Sequence, residues 1–528
     1  MFGIRDWPAD NGSDGQVSGG PSVRDGGVLV ILPAVFLVIT TRYWGSGFFD
    51  DSFIFLRYAQ NLSLGHGVVW NVGEPGVDGN TSLVWLLLVG FVLKFSALSA
   101  ANAVRLLGIS FGIFSLGAAW RIARLLLPEQ NRKAALAVPT AMVFSPYFSR
   151  QATNGLETLL TTSCFLALTL FWFACVRRKK TSSFELVSLA VASSSMFFVR
   201  PDAVLFALVG SLLTLRLAAE TFEARLIAKF SVLFGTILAA SLTAKFLLIG
   251  SIVPLPFFMK SPFRLFFFEK IPFNYMLGHW LELFSILAAP ILILAASFIA
   301  RPWRAGRLFL ILTIPSALYV SSLMLAIPVM DVHWRFFFPC YPFLIAAAVY
   351  GALKLGAAYE GGSPRVIALL LIILTFCQAG YFPRVKLEMK TFFEDHAQYA
   401  RLGAALNSIH GATLATTEAG QLPYFSDWQS IDLAGLNDEF IAKNRFRPDI
   451  KNLFANYLSK KMPDLYVQPP PECWYADMES HPTIRAQYER KAAFGLVLYL
   501  RRNSPAFDEM SRICAAQTPA YQKSQEEF

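Results

Sequence analysis

The chain has 528 residues, of which 55% are apolar and only 16% charged, and its mean hydropathy is +0.47. A soluble globular domain is about 45–50% apolar and about 25% charged, so this composition excludes an ordinary soluble protein. The net charge is +10, but the basic residues gather between apolar runs, as in Arg177, Arg178, Lys179 and Lys180 and in Arg301, Arg304 and Arg307. That is the pattern of cytoplasmic loops, and it removes nucleic acid as the partner that a basic chain would otherwise suggest.

In chain order, residues 1–27 are rich in Gly, Ser and Asp and read as a disordered cytoplasmic tail. The first apolar run, 28–44, follows this polar stretch and therefore reads as an uncleaved span, not a signal peptide. Further runs that can cross ~30 Å of hydrocarbon lie near 134–148, 156–176, 184–199, 203–218, 226–249, 281–300, 308–327, 336–357 and 365–382. The stretch 82–120 is apolar with a soft interruption at 96–102, and reads as one crossing plus a re-entrant piece, or as two. The cluster Arg121, Arg124, Arg132 and Lys133 belongs in the cytoplasm, so this stretch crosses a net single time. The expectation is about eleven spans, with a transmembrane domain over 28–382.

The outside segments are then 45–81, about 149–156, 200–202, 250–280, 328–335 and everything after about 382. No apolar run after Phe382 is long enough to cross again. Residues 383–528 are expected to form one extracytoplasmic domain. Its short apolar strings at 413–416, 430–433, 465–468 and 496–500 alternate with helical stretches, which predicts a small α/β fold. Cys164, Cys175, Cys340 and Cys377 lie in apolar runs and read as packing residues. Cys473 and Cys514 lie in the polar C-terminal part, where a disulfide is possible but spacing fixes no pair. No internal repeat is visible, whereas a solute transporter often has duplicated halves.

The first outside loop is the most informative. Asp50 and Asp51 stand together just past the first span, followed by Arg57, Tyr58, Asn61, His66, Trp70, Asn71, Glu74, Asp78, Asn80 and Thr81. Adjacent carboxylates repel, so they need a metal ion, a cationic partner or a proton-transfer task, unless they are merely a solvated pair. Other polar groups cluster at outside span ends. They are Asn154 to Glu157, Arg200-Pro201-Asp202, the loop from Pro254 to Lys260, and Asp331, His333 and Arg335. Ionisable residues at membrane depth are costly and mark function by default. Acids with Arg and Lys on one side suit an anionic lipid-phosphate donor. The cations hold phosphate, a carboxylate takes a proton from an acceptor hydroxyl, and an apolar groove takes the lipid tail.

The string Phe49-Asp50-Asp51, continuing through Arg57-Tyr58, Asn61, Gly65-His66-Gly67 and Trp70-Asn71 to Gly73-Glu74 and Asp78-Gly79-Asn80-Thr81, resembles the first outer loop of GT-C glycosyltransferases. It is most similar to the terminal arabinofuranosyltransferase branch of mycobacterial arabinan synthesis. Gly155-Leu156-Glu157, Arg200-Pro201-Asp202, Pro254 to Lys260, Asp331 with Arg335, Glu418 to Tyr424 and Asp432 to Asp438 extend the likeness over about residues 48–450. The resemblance implies a GT-C fold in the bacterial inner membrane, a polyprenyl-phosphate sugar donor, arabinofuranose as the sugar, and inversion at the anomeric carbon. The acceptor would be a polysaccharide, a lipid-linked glycan or a protein.

Carried onto this chain, the resemblance makes Asp50 the general base and Asp51 the residue that orients substrate or a divalent cation (Mg, Mn or Ca). Arg57, Tyr58, His66, Asn71, Glu157, Arg200, Asp202, Lys260, Asp331, His333 and Arg335 become donor and phosphate candidates. Glu74, Asp78, Asn80, Glu418, Tyr424 and Asp438 become acceptor-side candidates. Leu-Pro-Phe-Phe stands before Met259-Lys260 where the family pattern has Pro-Asn-Thr-Phe or Tyr, and the expected Gly-Gly before Asp331 is missing. The competing readings are a flippase for a lipid-linked sugar, with functional charges on both faces, and a non-catalytic envelope assembly protein, for which Asp50 and Asp51 would be dispensable.

Overall fold

The computed structural model of the chain describes residues 23–44, 47–178, 182–218, 224–260, 273–300, 306–324, 331–358 and 364–526. The expected N-terminal tail lies outside them as far as residue 22.

A helical bundle forms the larger part. It begins with α1 (Val23–Val38), which runs on to Tyr43 in a π-helical turn, and with α2 (Asp50–Ser63). Then come α3 (Leu83–Phe95), α4 (Ala100–Leu126), α5 (Ala137–Val143), α6 (Pro146–Gln151) and α7 (Thr158–Arg178). The series continues with α8 (Ser183–Val199), α9 (Ala203–Ala218), α10 (Ala224–Ile249), α11 (Leu255–Lys260), α12 (Phe273–Ile286) and α13 (Ala288–Ala300). It closes with α14 (Arg307–Leu323), α15 (Tyr341–Ala358), α16 (Pro364–Ala379) and α17 (Phe382–Leu406), which leads into the C-terminal part. Serines set several starts. Ser82 accepts from Trp85 N, Ser99 from Asn102 N, and Ser182 with Glu185 forms a capping box.

Among the described residues, five helices are long and apolar enough to cross a membrane: Ala100–Leu126, Thr158–Arg178, Ala224–Ile249, Phe338–Ala357 and Ala368–Leu406. The pair Leu277–Ile286 and Ala288–Ala300, bent by 73°, qualifies as a sixth. Shorter apolar helices cover Val30–Tyr43, Leu83–Phe95, Ser183–Val199, Ala203–Ala218 and Arg307–Leu323. The molecule is thus a multi-pass helical membrane protein, though many of the expected spans are not single long helices.

Two expectations change in detail. The stretch 82–120 separates into α3 and α4, and α3 lies along α2, with Gly90 against Leu62 and the Ala59 carbonyl. The stretch 134–148 is not one helix. It is the end of a 3-10 segment (Glu129–Leu136), then α5 and α6, with Pro146 at the first position of α6, where its ring keeps the preceding Ser145 extended.

Within the bundle, aromatic rings meet small residues. Phe165 stacks on Phe206 at 3.8 Å, and Gly210 leaves the space that the Trp172 ring fills. Trp172 Nε1 donates to Ser211 Oγ at 3.1 Å, and Ser211 and Ser193 share a hydrogen bond of 2.9 Å. Close backbone approach with interhelical hydroxyl bonds is how helices associate where no hydrophobic effect drives them together.

The C-terminal part is a five-stranded sheet of β1 (Thr413–Thr416), β2 (Gln429–Asp432), β3 (Leu465–Val467), β4 (Tyr488–Ala493) and β5 (Leu496–Arg501), in the order β2-β1-β3-β5-β4. β1 runs parallel to β2 and β3, while β5 is antiparallel to β3 and β4. Helices α18 (Gln421–Ser426), α19 (Glu439–Asn444), α20 (Ile450–Lys461), α21 (Pro482–Arg485) and α22 (Phe507–Glu526) complete it. Alternate strand residues enter two apolar clusters. Leu414, Leu465 and Leu498 lie in one, Ala415, Tyr466 and Tyr499 in the other. Cys514 lies in the first and Cys473 in the second, and no disulfide joins them.

Candidate functional site

The site grows from α2. Helical periodicity gives this helix two working faces. Asp51, Ile54 and Phe55 line a cavity of about 310 Å³. Asp50, Phe53 and Arg57 face the C-terminal domain instead.

The cavity walls are mostly apolar, from Ile54, Phe55, Leu205, Pro256, Phe257, Leu323 and Leu436. Charge gathers around the Phe336 ring, with the guanidiniums of Arg200 and Arg335 at 4.8 and 5.0 Å from its centroid. Arg335 pairs with Asp51 at 2.7 Å. Arg200 reaches Glu157 at 2.9 Å and holds Asp202 through two bonds of 3.1 and 3.0 Å. The Tyr319 hydroxyl donates to the same Asp202 at 2.8 Å. Burial alone would lower the Arg200 pKa, but the charges of Asp202 and Glu157 outweigh it and raise it, so the guanidinium stays charged. Arg200 likewise holds the Asp202 carboxyl below its usual range against the effect of burial.

The turn that presents Arg335 is strained. His333 and Trp334 have φ of 55° and 51°, the left-handed region that non-glycine residues avoid. Several contacts hold it. Asp331 Oδ1 accepts from Phe336 N at 2.9 Å, Asp331 Oδ2 lies 2.9 Å from His279 Nε2, and the His333 carbonyl accepts from Gln151 Nε2 at 3.3 Å. His333 Nε2 is 3.5 Å from Glu388, and burial pushes the imidazole pKa down. Asp331 and His333 therefore shape the turn and do not line the cavity.

The other candidates of the first loop do not reach the cavity. The Arg57 guanidinium lies over Trp70 at 4.7 Å and donates to the carbonyls of Trp70 at 2.9 Å, Trp428 at 2.7 Å and Pro423. The Tyr58 hydroxyl donates to Val77 O at 2.8 Å and accepts from Gly79 N at 3.2 Å, which holds the loop that runs on to Thr81. Asn71 matches the backbone of Ser430, accepting from its N–H at 2.9 Å and donating to its carbonyl at 3.1 Å, and so covers the open edge of β2. His66 is at an exposed loop tip. Glu74 faces Lys461 at 3.5 Å. Asp78 pairs with Lys245 at 2.6 Å, and its carbonyl accepts from Leu255 N, which brings Pro256 and Phe257 to the cavity. Asn80 is buried, without a side-chain hydrogen bond among the described residues, and Thr81 beside it lines the cavity. The Lys260 side chain lies outside the described residues.

In the C-terminal domain, Asp438 caps α19 through Ile441 N at 2.9 Å, and the Tyr424 ring packs on Phe53 at 5.3 Å. Glu418 is half-buried. Burial, and then the charges of Asp51 and Asp432, push its carboxyl up to about 7. Asp50 is raised too, by burial and then by Glu418.

The donor set does not fit a divalent ion at Asp50 and Asp51. Both Asp50 oxygens accept backbone N–H groups, Asp51 is paired with Arg335, and no group of three or more metal-ligating side chains stands together among the described residues.

Sequence reasoning did not single out Lys245 or Tyr319, and it reached Phe257 and Leu436 only as members of the strings 254–260 and 432–438. Lys245 alone carried a signal, as a cation inside an apolar run.

The terminal β-(1→2)-arabinofuranosyltransferase of Mycobacterium tuberculosis is 32% identical over 195 residues, covering 34% of this chain and 29% of the relative's own length. Residues 388–515 match a family described as a domain of unknown function, DUF8728. ArnT from Cupriavidus metallidurans bound to undecaprenyl phosphate shares the fold with a TM-score of 0.54 at 13% identity, over 90% of this chain and 98% of that one. The Archaeoglobus fulgidus oligosaccharyltransferase AglB, in complex with an inhibitory peptide and a dolichol-phosphate, gives 0.50 at 12% identity, over 90% and 74%. The chain has the GT-C type of membrane fold, and its resemblance to the arabinofuranosyltransferases stands.

Proposed function

We propose that this chain is an inverting glycosyltransferase that moves a sugar from a polyprenyl-phosphate donor to a hydroxyl of an envelope glycan or protein acceptor, at the outer face of the bacterial inner membrane. The observation that carries this is a cavity with mostly apolar walls that is also lined by Asp51, paired with Arg335, and by Arg200, the two guanidiniums lying over the Phe336 ring. The apolar wall suits an isoprenoid chain, and the guanidiniums suit a phosphate. The solved structures of ArnT and AglB hold undecaprenyl phosphate and a dolichol-phosphate respectively, which supports the same donor class here. Arabinofuranose is the proposed sugar, on the strength of the mycobacterial relative.

In this reading the acceptor oxygen attacks the anomeric carbon from the face opposite the phosphate. The new C–O bond forms as the bond to phosphate oxygen breaks, which inverts the centre. Polyprenyl phosphate leaves with both electrons of that bond, and Arg335 and Arg200 stabilise its growing charge. The acceptor's proton passes to a carboxylate. Asp51 takes that role here because it lines the cavity, whereas Asp50, favoured by the family pattern, does not. Arg200 is oriented by Glu157 and Asp202.

The test is transfer by purified protein from labelled polyprenyl-phosphate arabinofuranose, beside the matching hexose and pentose donors, with the product's anomeric configuration read by NMR. Inverted product from the arabinose donor supports the reading. Transfer from another donor alone would replace the sugar, and bilayer translocation without transfer would replace the enzyme with a flippase.

A further inference from the structure

Asp50 is buried, with 6% of its surface exposed, and is not on the cavity wall. Its Oδ2 accepts from Gly420 N at 2.8 Å and its Oδ1 from Gln421 N at 2.7 Å. Those are amides at the start of α18, which have no partner within the helix. Arg57 lies two turns further along α2 on the same face. It donates to the carbonyls of Pro423 and Trp428, within and just beyond α18. The negative group meets the N–H end of the short helix, and the positive group meets its carbonyl end. Phe53, between them, packs on Phe425 and Tyr424 at 5.3 Å each. The approach is so close that a Cβ at position 420 would lie 2.0 Å from the Asp50 carbonyl oxygen, so only glycine fits.

We propose that Asp50 and Arg57 form a two-ended clamp on residues 420–428 that docks the C-terminal domain onto the catalytic loop. Asp50 is then a positioning residue, which fixes the start of α2, and with it Asp51, against the segment that carries Glu418. This rests on the reading of Asp51 as the group that meets substrate, but the clamp itself is separable from it. A carboxylate whose two oxygens both accept backbone N–H groups is poorly placed to receive a proton from an acceptor hydroxyl.

The experiment is amide hydrogen exchange of the full-length protein in lipid nanodiscs, with transfer kinetics measured on the same samples. Asp50→Asn turns one accepting oxygen into a donor. It should speed exchange across 420–426 about tenfold or more, while Asp51→Asn leaves that segment unchanged. Arg57→Gln should speed exchange toward residues 424–430. Exchange in α4 should stay at the wild-type rate and serves as the control for folding. Asp50→Asn should lower kcat tenfold to a hundredfold, raise the acceptor KM and leave the shape of the pH–rate profile unchanged, which a lost base would not do. Should Asp50→Asn unfold α4, Gly420→Ala and Arg57→Gln carry the test, since neither changes a carboxylate. Unchanged exchange at 420–426 together with abolished transfer in Asp50→Asn would overturn the clamp and return Asp50 to the chemistry. If the wild type transfers no sugar, the functional reading fails, and the exchange rates still decide the clamp.

Discussion

The two faces of α2 carry acids of the same type, one residue apart, in opposite settings. Asp51 looks into the apolar cavity and is answered by a side chain, the guanidinium of Arg335 at 2.7 Å. Asp50 looks into the C-terminal domain and is answered by backbone amides at 2.7 and 2.8 Å. The comparison teaches that an adjacent acid pair is not one functional unit. A side-chain partner can exchange places with a phosphate, as Arg335 would when donor binds. A pair of backbone amides cannot leave without undocking a domain.

The hardest way to break this contrast is at Arg335. Arg335→Leu strips Asp51 of its partner and removes a phosphate candidate. Transfer should fall by about 10²–10³, in line with the loss of one donor to a developing oxyanion. Because it also leaves a buried charge unpaired, stability should fall by roughly 3–5 kcal/mol, read as a lower thermal midpoint. Full activity in this variant would detach the cavity from the chemistry.

A second break acts only on the docking face. Gly420→Val would place atoms inside the Asp50 carbonyl's contact distance. It should cost about 1–3 kcal/mol by overpacking and raise the acceptor KM, with donor affinity measured by titration unchanged.

A smaller effect sharpens the contrast by pH. The Glu418 carboxyl is raised to about 7 by burial and by the charges of Asp51 and Asp432. An acid whose folded pKa lies above its unfolded value binds more protons when folded. Its stabilisation is complete below the unfolded value of about 4.5 and is lost as pH rises through about 7. The thermal midpoint should therefore drop between about pH 4.5 and about pH 7, and Glu418→Gln should flatten that slope.

The smallest expected effect is none. Reductant should not move the thermal midpoint, because Cys473 and Cys514 lie in different apolar clusters.

Much of this was legible in the sequence, for physical reasons. Apolar runs announced the bundle, and alternating short strings announced the sheet. Asp50 and Asp51 stood out because adjacent carboxylates at a span end need an explanation. Arg200, Asp202 and Arg335 stood out as ionisable groups at span ends, and they do meet at the cavity. Arg57 misled as a phosphate ligand because its partners are the carbonyls of Trp70, Pro423 and Trp428, and backbone atoms leave no signature in residue identity. The docking of Asp50 was hidden for the same reason, with Gly420 as its single trace. The break before α6 was also missed, although Pro146 marked it.

The most direct test of the central claim, that Asp51 is the carboxylate that meets substrate, is a single-turnover transfer from labelled polyprenyl-phosphate sugar by wild type and Asp51→Asn, with donor binding measured in parallel. Asp51→Asn should bind donor within a few-fold of wild type and transfer more slowly by about 10³ or more. Turnover close to wild type in Asp51→Asn would contradict that claim.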